Sequence, residues 1–220
     1  MQDQWYGDKR DIVKWGSLVH MAREYGTQSI LQVAFFRLSN SKHVLQISED
    51  CEVPLAPEVW DHFRDIRQIK RLERGTGRRI DVFDTVFCEP RDAYVDAVAD
   101  DIRKREHETE FLLVFLDPDT GIAPPKSKPS LKHVLPCELR HIYRALRTGD
   151  VLVLYQHQRR TKDWLAETRR QFADAIQVDP AKVRTVTCPC LAKDVAFFVA
   201  RRDGDDRLET GSRNPQRVIK

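Results

Sequence analysis

Apolar residues recur along this chain in two patterns. Each pattern predicts one kind of secondary-structure element. Apolar residues spaced three or four apart predict amphipathic helices over residues 8–25, 58–74, 91–106, 136–147 and 162–176. Short apolar runs predict strands over residues 29–36, 43–48, 79–83, 111–116, 150–155, 183–188 and 195–201. In the first helix, the apolar face that we expect to be buried comprises Ile12, Trp15, Val19 and Ala22.

The order of these elements predicts the fold class. Strands and helices alternate through the middle of the chain, which is typical of a three-layer α/β fold with a mostly parallel sheet. The last two strands are joined by a short turn, and such a connection makes an antiparallel hairpin. We therefore expect one α/β domain over residues 1–202 with a C-terminal antiparallel hairpin, followed by a disordered polar tail over residues 203–220.

Composition places the chain among globular proteins and gives little indication of its partners. Of the 220 residues, 41% are hydrophobic and 32% are charged, and the net charge of +3 gives only a weak overall attraction for nucleic acid. No apolar run approaches the roughly 20 residues of a membrane helix, so we expect a cytoplasmic protein with no membrane association. The five cysteines are scattered, and Cys188 and Cys190 do not have zinc-ligand spacing, so we expect reduced thiols and no metal.

The segment FLLVFLDPDTGI over residues 111–122 is the strongest candidate for a site. Its apolar run has the composition of a strand buried on both faces, and it ends abruptly at Asp117 and Asp119. Pro118 cannot donate a backbone hydrogen bond and Gly121 permits a sharp change of direction. Since ligands bind outside the carboxyl ends of parallel strands, the two acids are predicted to be catalytic.

Other polar residues directly follow predicted strands and should lie at the same edge of the sheet. Asp84 follows one strand, and His157 follows another through Tyr155 and Gln156. A histidine can act as an acid, a base or a ligand, so His157 is a further catalytic candidate. Aspartates after strands also begin turns and cap helices, which is the structural alternative for each of them.

Two basic segments are candidates for substrate binding. Lys126 and Lys128 lie in a proline-rich loop just after the acids, together with Lys132, and such a loop suits phosphates or a solvated surface equally well. Near the start of the first helix, Asp11 and Lys14 are three residues apart and can pair on one helix face.

The order of elements and two short motifs resemble class I S-adenosylmethionine-dependent methyltransferases, in the branch of the ribosomal-RNA adenine methyltransferases and three-Cys-motif partner proteins. The motifs are Asp11-Ile-Val-Lys14 and Asp117-Pro118-Asp119, and YGDKRD and FLDPDxG are also similar to motifs of a bacterial protein family. The resemblance implies a Rossmann-like, methyltransferase-type fold that methylates a base amine of RNA or DNA. It implies that Asp84 contacts the cofactor, Asp117 the target amine and Lys14 the substrate.

Two other functions fit the same residues. The acids Asp84, Asp117 and Asp119 could hold Mg²⁺ for phosphoryl transfer, as in a nuclease or phosphatase. Alternatively, the chain could be a non-catalytic scaffold that has lost cofactor binding, because no glycine occurs between the first strand and Asn40, where such enzymes have a glycine-rich turn. The sequence indicates no oligomeric state.

Overall fold

The computed structural model describes residues 9–37, 44–48, 51–54, 66–125, 127–128 and 130–204. Its α-helices are α1 (Lys9–Glu24), α2 (Leu72–Thr76), α3 (Arg91–Arg103), α4 (Pro136–Ala145) and α5 (Trp164–Ile176). Short 3₁₀ helices span Ile66–Arg71 and Pro180–Lys182. The strands are β1 (Ser29–Val33), β2 (Val44–Ser48), β3 (Cys51–Pro54), β4 (Arg79–Phe83), β5 (Leu112–Leu116), β6 (Gly121–Ile122), β7 (His133–Val134), β8 (Val151–His157), β9 (Arg184–Cys188) and β10 (Ala192–Arg201).

Six strands form the central sheet in the order β4-β1-β5-β8-β10-β9. Strands β4, β1, β5 and β8 are parallel, whereas β10 runs antiparallel to both β8 and β9. The predicted three-layer, mostly parallel α/β fold with a C-terminal antiparallel hairpin is therefore confirmed, and it is consistent with a Rossmann-like methyltransferase fold. Strands β2 and β3 form a separate antiparallel hairpin.

The sheet is buried on both faces because helices cover each side. One face packs against α3, α4 and α5, with Tyr94, Leu139 and Phe172 in the core. The other face packs against α1 and the first 3₁₀ helix, through residues such as Leu18 and Ile69. The central strand β5 is buried at all of its five positions, which explains its continuous apolar sequence.

The structure corrects one prediction for the first helix, namely which of its side chains face the core. Ile12 was expected to face the core, but its side chain is 68% exposed. The buried face instead includes Asp11, Lys14, Trp15 and Leu18. Charged residues thus occupy two core-facing positions of α1, which is unusual unless buried charges find partners.

Some predictions fall outside the described residues or are not tested by them. The early part of the helix expected over residues 58–74 and most of the expected tail lie outside the described residues. The expected single domain over residues 1–202 stays a prediction. No helix in the described ranges has the length and apolar character needed to span a bilayer.

Candidate functional site at the switch point of the sheet

The direction in which the chain adds strands reverses between β1 and β5, and this locates the candidate site. From β1 the chain moves outward to β4, then returns across β1 to form β5 and β8. Ligands of open α/β sheets bind at the carboxyl ends of strands beside such a switch point. Val33 is in register with both Phe83 and Leu116. Asp84 and Asp117, which follow these partners, therefore lie at the same edge, as the sequence indicated.

A buried ion pair occupies the switch point itself. The Lys14 ammonium of α1 lies 3.0 Å from Oδ1 of Asp117 and 3.1 Å from its Oδ2. It also lies 3.3 Å from Oδ1 of Asp11, one helical turn away on the same helix. Gln32 of β1 donates a hydrogen bond of 3.0 Å to Oδ2 of Asp117. Only 1% of Asp117 is exposed, so its carboxylate is enclosed by protein groups.

Electrostatics keep Lys14 charged in this enclosed position. Burial alone would lower the pKa of Lys14, but the carboxylates of Asp117 and Asp11 outweigh burial and hold its pKa above the usual value. The ammonium also lies 4.6 Å from the centroid of the Tyr155 ring, whose face attracts a cation. Moving α1 away from the sheet would separate Lys14 from Asp117 and leave each charge without its partner. The cluster therefore holds α1 against the carboxyl edge of the sheet.

Polar contacts continue from Tyr155 toward the surface. The Tyr155 hydroxyl lies 3.2 Å from Nε2 of His157, and Nδ1 of His157 lies 3.9 Å from Oδ2 of Asp194. Arg10 of α1 donates a 2.7 Å hydrogen bond to the same Asp194 oxygen. Burial, and then the nearby Arg10 charge, lower the pKa of His157, so its ring is neutral near pH 7. Burial raises the pKa of Tyr155, which keeps the hydroxyl protonated.

The other two predicted acids each face a different cation. Asp119 forms an ion pair with Arg37, and Asp84 accepts a 2.6 Å hydrogen bond from Nε of Arg67. In the ranges that the structure describes, no cluster of three or more acidic, histidine or cysteine side chains is arranged to hold a metal ion. The acids proposed as Mg²⁺ ligands are therefore brought to one edge without converging on one point.

Aromatic side chains fill the turn after β1. Phe35 is fully buried and has a positive φ of 46°, a conformation that non-glycine residues seldom adopt. Its ring meets the Phe87 ring edge to face, with centroids 5.0 Å apart. The Tyr94 hydroxyl accepts a 3.1 Å hydrogen bond from the Phe35 N–H, and the Phe36 carbonyl accepts one of 2.7 Å from the Phe87 N–H.

This turn does not fit S-adenosylmethionine in the way the resemblance implies. Methyltransferases of that class use a glycine-rich turn because glycine lets the backbone approach the cofactor closely. Here the corresponding backbone is hydrogen-bonded to Tyr94 and Phe87, and the Phe35 ring is buried against the rings of the same two residues. Asp84, which should contact the cofactor, is bonded to Arg67.

The side chain of Gln156 holds the loop after the acids against β8. Gln156 donates a 2.8 Å hydrogen bond to the Thr120 carbonyl and accepts one of 2.9 Å from the Ile122 N–H. Gly121 lies between them with φ 104°, and a Cβ at this position would overlap the Gln156 side chain. Glycine is thus required here both by its backbone angle and by the close approach of Gln156.

The fixed loop brings two basic segments together. Arg159, just after β8, donates a 2.9 Å hydrogen bond to the Ile122 carbonyl. Burial lowers the pKa of His133, and the positive charges of Arg159, Arg91 and Lys132 lower it further, so these groups are close in space. Lys128 is exposed in the same loop. Lys126 lies outside the described residues.

We use "basic edge" for Lys128, Lys132, Arg159 and Arg160. In the described parts of the two segments, residues 123–135 and 158–163, the only acidic residue is Asp163. The basic edge therefore carries a local positive charge that the small net charge of the whole chain conceals.

The sequence pointed to Asp11, Lys14, Asp117 and His157 and to the pairing of Asp11 with Lys14, but it did not single out the other partners. Gln32 could have been noticed as a polar residue inside a buried strand, and its Oε1 has no hydrogen-bond partner. Tyr155, Arg10 and Asp194 carried no such signal, because aromatic and charged residues at these positions are common in surface and core contexts alike. Their contacts depend on how distant elements pack.

Comparison with known proteins gives a distant likeness only. No protein-family model matches the chain, and no curated protein matches it significantly in sequence. Among solved structures, it is similar to a DUF574 family protein from Streptomyces avermitilis MA-4680, with 13% identity and a TM-score of 0.39. That match covers 88% of this chain and 82% of the other. The fold assignment rests on the strand order described above.

Proposed function

We propose that this protein is a methyltransferase-like scaffold that binds single-stranded or duplex nucleic acid along its basic edge without using S-adenosylmethionine. The observation that carries the proposal is the clustering of Lys128, Lys132, Arg159 and Arg160 in two segments that meet at the carboxyl edge of the sheet. Clustered lysines and arginines contact phosphate oxygens, and these contacts supply most of the affinity of nucleic acid binding that does not depend on sequence.

The enclosed switch point supports a binding role over base methylation. A group that receives a proton from a target amine must reach that amine within hydrogen-bond distance. Asp117 is 1% exposed and faces Lys14 and Gln32, so a base has no access to its carboxylate in this conformation. The turn at Phe35 supports the same view, because the Phe35 N–H is already bonded to the Tyr94 hydroxyl and is not free to contact a cofactor.

The geometry gives less support to phosphoryl transfer than to nucleic acid binding. A two-metal or one-metal site needs carboxylate oxygens converging on one point. Asp84, Asp117 and Asp119 face Arg67, Lys14 and Arg37 respectively, and each of these cations takes the place that a metal would need. We therefore do not propose a Mg²⁺-dependent activity.

Fluorescence anisotropy with labelled RNA and DNA oligonucleotides tests the proposal. We expect Lys128→Gln and Lys132→Gln each to weaken binding of all sequences and to reduce the slope of log affinity against log salt by about 1. Lys104→Gln is the matched control, since Lys104 is an exposed lysine that follows α3 and precedes β5, at the opposite edge of the sheet. Equal affinities for wild type and the Lys128 and Lys132 variants would exclude the basic edge as the contact surface.

A further inference from the structure

A small cavity opens beside the basic edge, between the end of β8 and the start of β10. Its volume is about 360 Å³, and it is lined by His157, Gln158, Arg159, Arg160 and Asp194. Pockets for small ligands have volumes of roughly 300–1,000 Å³, so this cavity lies at the small end of that range. It has room for a phosphate and its sugar.

Arg159 brings a positive charge to this cavity, and none of the described residues forms an ion pair with it. Burial lowers its pKa by more than the nearby Glu167 carboxylate raises it, so the guanidinium loses water that the protein does not fully replace. Its only hydrogen bond among the described residues goes to the Ile122 carbonyl, and its Nε has no partner. Arg91 and Arg147, by contrast, are bonded to the carboxylates of Glu138 and Asp150.

The remaining lining groups suit an anion. Asp194 would repel an anion if it were alone, but Arg10 lies 2.7 Å from its carboxylate and offsets that charge. His157 contacts the Tyr155 hydroxyl through Nε2, and a neutral imidazole can donate one N–H. Arg160 is exposed at the rim, where it can reach a second oxygen of the same anion.

We propose that this cavity binds one phosphate group of the nucleic acid, held by Arg159 and Arg160 with a hydrogen bond from His157 or Gln158. This inference rests on the proposed function and adds a defined phosphate subsite to the diffuse positive charge of the basic edge. A guanidinium fork matches phosphate oxygens in pairs, which a lysine cannot do. The phosphate is either an internal diester or a terminal monoester, and both present the same oxygens.

The test compares Arg159→Gln and Arg160→Gln with the matched control Arg169→Gln, an exposed arginine on α5 outside the cavity. We expect each cavity variant to weaken oligonucleotide binding about tenfold, and the control to change it less than about twofold, because removing a charged hydrogen-bond donor from a phosphate weakens binding by this amount. Oligonucleotides with and without a 5′-phosphate distinguish the two sources of the anion. A larger loss of affinity with the phosphorylated strand indicates a terminal phosphate, and an equal loss indicates the backbone.

Two controls keep the failures separate. Arg160→Gln removes no described contact, so it tests the subsite even if Arg159→Gln lowers stability. If the wild type binds oligonucleotides and both cavity variants bind equally well, the subsite is overturned, and the proposed function then depends on Lys128 and Lys132, which their own variants test. If the wild type binds no oligonucleotide, the proposed function fails. Binding of inorganic phosphate then tests the subsite by itself. A phosphate-dependent shift of the His157 ring resonances that is lost in Arg159→Gln supports the subsite, whereas no shift rejects it.

Discussion

Replacing Lys14 by alanine is expected to lower the free energy of unfolding by about 3–5 kcal/mol, the usual result of removing one partner from a buried ion pair. The reason is that Asp117, at 1% exposure, would lose the cation that lies 3.0 Å from its carboxylate and would have only Gln32 and other polar contacts left. Urea denaturation followed by circular dichroism measures this difference. Lys104→Ala, at an exposed position, should change stability by less than about 0.5 kcal/mol.

A double variant separates the ion pair from simple loss of packing. Lys14→Met combined with Asp117→Leu replaces both charges with apolar groups, and we expect it to be more stable than either single variant. If the stability losses of Lys14→Met and Asp117→Leu instead add in the double variant, the two charges do not interact strongly. The description of Lys14 and Asp117 as one buried unit would then be wrong.

Truncating Phe35 is expected to have a comparable effect. Phe35→Ala should lower the free energy of unfolding by about 3–5 kcal/mol, because it removes a fully buried ring from contact with Phe87 and Tyr94. The positive φ at this position adds a second expectation. Phe35→Gly should be at least as stable as Phe35→Ala, since a left-handed conformation costs non-glycine residues about 1–2 kcal/mol.

Phe172 provides the matched comparison for that second expectation. It is also fully buried, but it lies within helix α5, where glycine is about 1 kcal/mol less favourable than alanine. Thermal or urea denaturation of Phe35→Ala, Phe35→Gly, Phe172→Ala and Phe172→Gly measures the difference in stability between glycine and alanine at each position. If glycine is worse than alanine at Phe35 by the same margin as at Phe172, the backbone at Phe35 does not have the described conformation.

The fold was largely predictable because its signals are local. Apolar runs such as residues 111–116 and helical spacings such as those of α3 are set by neighbours in sequence, and these elements formed within a few residues of their expected bounds. The error at Ile12 has a physical cause. The pattern assumes that charged residues face water, whereas Lys14 and Asp11 turn inward to reach Asp117.

The site was predictable only in part because its contacts are distant in sequence. The position of Asp117 after a buried strand could be inferred, yet its partner Lys14 is 103 residues away, and Gln32 is 85 residues away. The sequence showed that no glycine follows β1, but not that the Phe35 ring is buried there against Phe87 and Tyr94. The local charge at Arg159 became apparent only when two loops were seen to meet. The roles of Asp84, Asp117, Asp119, His157 and Lys128 stay predictions.

Titration calorimetry of the wild-type protein with S-adenosylmethionine is the sharpest test of whether the turn after β1 can hold a cofactor. Our claim is that it cannot, because the Phe35 N–H and the Phe36 carbonyl are already hydrogen-bonded to Tyr94 and Phe87 around a buried aromatic cluster. We expect no saturable heat with the cofactor at millimolar concentration. Saturable binding that is weakened by Asp84→Asn would contradict the claim and would restore the methyltransferase assignment.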